Sequence, residues 1–210
     1  MPRLLPALLL ATLVLPLHAA PEDAGADWIL DRLARPVPAR TAFVELRDSP
    51  LLKAPLRISG EYRRPDAQTL VREVRAPYAE TTTIRGGEAT IARAGKAPRT
   101  FSLARAPELA GLQASFGALL SGDRTLLERH YRIGATGPRQ HWTMTLVPTD
   151  AALAGKVREI VLHGRGAELR CIETHPAQGE VVQRTLLAGA ARDAGDVADA
   201  AALAQLCRGE

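Results

Sequence analysis

Short stretches of period-two alternation, each stopped by Gly, Pro or Asp, follow one another through most of this chain, and that pattern points to an antiparallel sheet. The clearest is Leu56-Arg57-Ile58-Ser59-Gly60-Glu61-Tyr62-Arg63-Arg64-Pro65-Asp66. Leu56, Ile58 and Tyr62 fall on one face, with Arg57, Ser59, Glu61 and Arg63 on the other, as in a half-buried strand. Pro65 cannot donate to a ladder and Pro-Asp favours a turn, so the strand is expected to stop there, leaving Arg64 as a strand-end arginine. Comparable alternation recurs at residues 41–47, 70–75, 78–84, 89–93, 99–105, 129–133, 140–147, 156–162, 168–174 and 181–187. Arg85-Gly86-Gly87-Glu88 reads as a tight hairpin turn. Residues 140–147 place Trp142, Met144 and Leu146 on one face.

Three segments break the strand rhythm. Residues 27–34 carry Trp28, Ile29 and Leu33 at helical spacing and stop before Pro36 and Pro38. Residues 107–120 open on Pro107, place Leu109, Leu112, Phe116, Leu119 and Leu120 on an apolar series, and end at Gly122. Residues 125–127 add at most a short helical turn, and residues 196–206 form an alanine-rich segment of good helix propensity before Cys207. No fixed-period repeat is present, and without βαβ alternation a parallel sheet is not expected. The fold class is therefore mainly β, an antiparallel sheet of about eleven strands. A sheet of that size must close or curl, and a curled sheet leaves an apolar concavity. The two apolar helices either cover such a cavity or complete a packed core, and apolar burial alone does not separate these.

The first twenty residues read as a leader: Arg3, an apolar run over residues 4–17, and a cleavage zone at His18-Ala19-Ala20. The run falls short of the roughly 20 apolar residues a membrane span needs. Residues 1–20 are thus expected to be a signal peptide, and residues 21–210 a single exported domain. The 27 Lys and Arg against 23 Asp and Glu give +4, or +3 once Arg3 leaves with the leader, too little and too dispersed for nucleic acid. Cys171 and Cys207 lie in the exported part, where an oxidising compartment permits a disulfide; the alternative is two separate buried thiols. A bridge would stabilise by at most about 4 kcal/mol on chain entropy.

Catalytic patterns are lacking. His130, His141, His163 and His175 sit in different elements with no HxH or HxxxH pair, so no metal is expected. There is no Gly-x-Ser-x-Gly elbow and no phosphate-cradling loop opening a helix. Carboxylates such as Glu61, Glu73, Glu80 and Asp123 are scattered. No nucleophile stands out, so neither an enzyme nor a cofactor is expected.

The order of these elements, and the text Ser59-Gly60-Glu61-Tyr62-Arg63-Arg64-Pro65-Asp66 followed by Pro77 and the Gly86-Gly87 hairpin, resembles the outer-membrane lipoprotein carrier (LolA) family. The resemblance runs over residues 28–187, and Gly122-Asp123 with the run from Trp142 to Pro148 resembles a divergent branch. It implies a half-open antiparallel β-barrel with a helical lid over a hydrophobic cavity that shields acyl chains. Such a protein is a monomeric periplasmic carrier, moving a lipoprotein from an inner-membrane donor complex to an outer-membrane acceptor. It also implies that Arg64 hydrogen-bonds lid backbone as a latch; the alternative is a solvated arginine at a strand end. The cavity would be lined by Leu56, Ile58, Tyr62, Trp142, Met144 and Leu146, with Leu112, Phe116 and Leu119 on the lid. Two Trp, three Tyr and three Phe are few for such a cavity, and the C-terminus is alanine-rich. Both leave the cargo open between a lipoprotein and another lipid. A second reading is a periplasmic lipid- or stress-sensing interaction module on the same half-barrel.

Overall fold

The structure is a computed structural model, described here for residues 23–47, 55–103, 117–119, 121–197 and 199–209. Eleven strands form one antiparallel sheet: β1 (Ala39–Arg47), β2 (Leu56–Asp66), β3 (Thr69–Ala76), β4 (Glu80–Arg85), β5 (Glu88–Arg93), β6 (Lys96–Ser102), β7 (Tyr131–Thr136), β8 (Trp142–Pro148), β9 (Val157–Arg165), β10 (Glu168–Pro176) and β11 (Gln183–Leu187). Their order is β6-β5-β4-β3-β2-β1-β11-β10-β9-β8-β7. Two meanders are thus joined where β1 pairs with β11, and the sheet is not closed, with β6 and β7 as its edges.

The turns follow local chemistry. Gly86 and Gly87, at φ 59° and 77°, join β4 to β5 as a hairpin that only glycine adopts easily. Asp66 Oδ1 accepts from the Gln68 N–H at 2.8 Å and Asp66 Oδ2 from the Thr69 hydroxyl at 2.9 Å, closing the β2–β3 turn. β2 runs to Asp66 and stops at the Pro-Asp turn, as the sequence reading expects. The register shifts between Arg63 and Asp66, so Arg64 and Pro65 together stand opposite Leu70 in a bulge, where a missing N–H is tolerated. Gly60 marks a second shift, and a Cβ there would lie 1.9 Å from the Glu73 carbonyl oxygen.

One face of the sheet carries the main core. Phe43, Ile58, Val74, Met144, Leu162 and Leu187 lie in it, under α1 (Ala26–Leu33), which contributes Ile29, Leu30 and Leu33. Residues 117–119 are helical and add Ala118 and Leu119, but the rest of the expected helix over 107–120 lies outside the described residues. Trp142 packs its ring over Gly164 of the neighbouring strand, where a Cβ would stand 1.9 Å from it, and its Nε1 donates to the Gly166 carbonyl at 2.9 Å. Short helices α2 (Arg124–Glu128) and α3 (Ala151–Ala154) plug the same core with Leu127 and Leu153, each N-capped by an aspartate, Asp123 and Asp150.

The opposite face is covered too. A helix that the sequence reading did not place, α4 (Ala188–Asp193), precedes the expected alanine-rich one, α5 (Ala200–Arg208). Small residues, Gly189, Ala190 and Ala191, let α4 lie close to the strands, and Ala190, Ala191, Ala194, Leu203 and Cys207 pack on Val44, Cys171 and Leu186. Cys171 and Cys207 form a disulfide that ties α5 to β10 across a separation of 36 residues.

Opening a loop of that length costs about 4 kcal/mol on chain entropy. The paired Cys171→Ala, Cys207→Ala protein should therefore lose about that much stability in urea titrations; an unchanged midpoint would show that the two helices hold without the bridge.

Candidate functional site

The central strands place a polar group in the floor of the core face. Directly opposed residues share a face, so the register Tyr62↔Arg72 and Glu45↔Ile58 puts Glu45, Tyr62 and Arg72 beside Phe43. Glu45 is only 2% exposed and accepts from Arg72 at 2.5 Å and from Arg47 at 3.2 Å. The Arg72 guanidinium also lies 4.7 Å from the Phe43 ring centre, and Phe43 meets Tyr62 at 4.8 Å with the planes tilted by 42°. Burial pushes the Tyr62 phenol upward, opposed by the charge and hydrogen bond of Arg72. A buried carboxylate is tolerated here because guanidinium donors meet it.

Beside this group is an apolar pocket of about 90 Å³. The end of α1 (Leu33, Arg35), β1 (Ala39, Thr41), β2 (Tyr62, Arg63, Arg64), β3 (Leu70) and the β10–β11 region (Leu169, Leu187) enclose it. Arg64 is 8% exposed, and its guanidinium donates to the Arg35 carbonyl at 3.5 Å, just past the C-terminus of α1. Strand parity places it there, since Arg64 pairs with Ala39 as Tyr62 pairs with Thr41, both on the core face.

The expected lining residues divide into groups. Ile58, Trp142, Met144, Leu146 and Leu119 are packed in the core, the first four on strands and Leu119 in the helical stretch at 117–119. Leu56 and Tyr62 are partly buried against that core, and among the seven described residues Tyr62 alone also lines the pocket. Leu112 and Phe116 lie outside the described residues. Leu33, Leu70, Leu169 and Leu187, which also bound the pocket, come from four elements far apart in sequence; only pairing and helix docking bring them together. Glu45 and Arg72 carried a faint signal, as charged residues on alternating strands, but no spacing rule relates β1 to β3.

On the opposite face, β9, β10 and β11 gather a second ionic group. Glu173 accepts from Arg184 at 2.5 Å, and its other oxygen lies 3.4 Å from His163 Nε2 and 3.5 Å from His175 Nε2. His163, Glu173 and Cys207 offer atoms within 4.8 Å of one another, yet the Cys207 sulfur is bonded to Cys171 and supplies no thiolate. The hydrogen bond with His163, reinforced by Arg184, lowers the Glu173 carboxyl from 4.5 to about 2. His163 of β9 and His175 of β10, in different elements of the sequence, thus meet on one carboxylate through the β9–β10 register.

Two outcomes follow. Arg72→Met leaves Glu45 buried with the half-exposed Arg47 and the Thr185 hydroxyl as partners and should cost about 3 kcal/mol in chemical denaturation, while Glu45→Leu with Arg72→Leu should recover most of that loss. Because the Glu173 pKa is depressed on folding, its contribution is complete above about pH 4.5 and vanishes as pH falls through 2. Urea titrations across that window should show the native protein losing roughly 2 kcal/mol that Glu173→Gln never had; parallel pH profiles would remove this role.

With this geometry in place, comparison with known proteins is informative. Residues 18–210 match the family described as outer membrane lipoprotein carrier protein LolA-like. No curated protein matches the chain. Among solved structures, that of a LolA superfamily protein, NE2245 from Nitrosomonas europaea, is similar at 12% identity and a TM-score of 0.40, covering 79% of this chain and 92% of that one. The match over residues 18–210 takes in the whole sheet and both C-terminal helices, and the chain belongs to the LolA-like family of outer membrane lipoprotein carrier proteins.

Proposed function

We propose that this protein is a periplasmic carrier that binds acyl chains against the core face of its sheet and moves them from the inner to the outer membrane without catalysis. The observation that carries this reading is the apolar pocket between the end of α1 and strands β1 to β3, with Arg64 hydrogen-bonded to the Arg35 carbonyl at its rim. Family membership supports an acyl-binding role. The cargo is a lipoprotein or another lipid, received from an inner-membrane donor complex and passed to an outer-membrane acceptor. Export is by removal of residues 1–20, and the carrier acts as a monomer.

The size of the pocket gives the mechanism its form. About 90 Å³ is far below the roughly 300–1,000 Å³ of ordinary ligand sites. A whole acyl chain therefore enters only if the site opens, and α1 is the element whose displacement enlarges it. Each methylene that then leaves water gains roughly 0.8 kcal/mol, so about six to eleven methylenes, less than a full acyl chain, offset the exposure of Ile29, Leu30 and Leu33 when α1 lifts. Ile58, Trp142, Met144 and Leu146 would become the wall of the opened cavity, with Leu119, Leu112 and Phe116 on its cover. Arg64 is the latch: its hydrogen bond exists only while the end of α1 lies against β2. A bond of this kind is worth about 0.5–1.5 kcal/mol, enough to hold the empty form closed and weak enough to be reversed.

Arg64→Leu should accordingly speed hydrogen exchange in α1 and raise the affinity for a fluorescent fatty-acid probe by up to about tenfold. Unchanged exchange and affinity would sink the latch. For the carrier itself, native mass spectrometry of the protein taken from its own periplasm should detect an acyl-bearing adduct; its absence, together with no uptake of the probe, would overturn the reading.

A further inference from the structure

Most arginines of β1 to β5 are paired across the sheet. Arg72 is held by Glu45, Arg40 and Arg75 by Glu61, Arg63 by Glu73 and Arg93 by Glu80. The free edge departs from this. Lys96 and Arg99 of β6 are exposed, and among the described residues neither makes an ion pair. Their place follows from register: Tyr62, Arg72, Thr82, Ile91 and Arg99 are successive cross-strand partners, as are Val74, Glu80, Arg93 and Lys96. Both cations therefore stand on the same face as the pocket, at the rim where that face ends. Beside them on this face Ile91 and Phe101 are half-buried, so the rim pairs unneutralised positive charge with apolar surface.

The edge is also poorly suited to another strand. The β5–β6 register shifts between Ile91 and Arg93, setting Ala97 and Pro98 opposite Ala92 in a bulge. A proline in a bulge, flanked by Lys96 and Arg99, blunts an edge against strand addition. A surface that attracts negative charge, offers apolar contact and does not template a strand fits a lipid headgroup layer better than an extended peptide.

We propose that the β6 rim, through Lys96 and Arg99, docks on an anionic phospholipid surface and so holds the mouth of the core face against a membrane. This goes beyond the carrier reading, because it names a surface outside the pocket that contacts the bilayer itself. Each cation near such a surface is worth about a fivefold gain in partitioning, and the attraction is screened by salt.

The test is flotation of the purified protein with vesicles of phosphatidylcholine alone, or with about one third phosphatidylglycerol, at low and high salt. Binding should require the anionic lipid and fall at high salt. The Lys96→Gln, Arg99→Gln protein should lose about 30-fold in partitioning. Arg158→Gln with Arg192→Gln removes the same charge from exposed positions on β9 and α4 and should lose no more than about threefold. Equal binding to neutral vesicles, no binding to anionic ones, or equal losses in both double variants would overturn the proposal. Uptake of the fatty-acid probe, measured without vesicles, should be unaffected in both. A protein that takes up the probe but ignores anionic vesicles keeps its carrier role and docks through a protein partner instead; one that floats but takes up no probe keeps the docking surface and loses the carrier role.

Discussion

The pairing of β1 with β11 is the contact on which the rest of the structure depends. It joins Phe43 to Leu187, Val44 to Leu186, Glu45 to Thr185 and Leu46 to Arg184, bringing together residues about 140 apart in the chain. Without it, β1 to β6 and β7 to β11 are two separate meanders, each with an unpaired strand at the junction. Closing so long a loop is entropically costly, and the junction offsets that by burying both its faces. Phe43 and Leu187 go into the main core, while Val44 and Leu186 go under α4 and α5. Three successive buried residues, Phe43, Val44 and Glu45, record that double coverage, where a strand on a half-exposed sheet would alternate.

The same junction explains where free space remains. Farther along the sheet, at β8 and β9, the core face is filled by α1, α2 and α3, and Trp142 sits down on Gly164. At β1 to β3 the floor includes the Glu45–Arg72 pair, and the end of α1 meets Arg64 rather than another large apolar side chain. Polar groups that must keep their hydrogen bonds cannot repack to fill a gap as leucines do. The pocket lies where apolar packing gives way to directed bonds, and those bonds are what a ligand entering beside α1 would have to rearrange.

Much of the β architecture was legible in the residues. Alternation at Leu56, Ile58 and Tyr62, or at Trp142, Met144 and Leu146, survives because a half-buried strand imposes its period on its own sequence. Gly86-Gly87 announced its turn because left-handed φ excludes most other residues. Pro65 marked the end of β2 but not the bulge it sits in, since a missing N–H forbids a regular ladder and tolerates a bulge. The alanine-rich end announced α5 but not α4, a short helix held by docking on Cys171 and Leu186 rather than by its own propensity. Of the candidate site, Tyr62 could be nominated from its own strand, and Arg64 only through the family resemblance. Leu33, Leu70, Leu169 and Leu187 could not, because each is an ordinary apolar residue in its own element.

By itself the sequence determined that the protein is an antiparallel β-sheet protein with a few helices, since turn chemistry and side-chain period act over a few residues and need no partner. Tertiary structure alone decided that β1 meets β11 and that the alanine-rich end covers the outer face. It also decided that Glu45 finds Arg72, that His163 and His175 share Glu173, and that Arg64 reaches the end of α1. These are contacts between distant segments, whose selection depends on which arrangement buries both faces of the junction while giving the buried carboxylates their guanidinium partners.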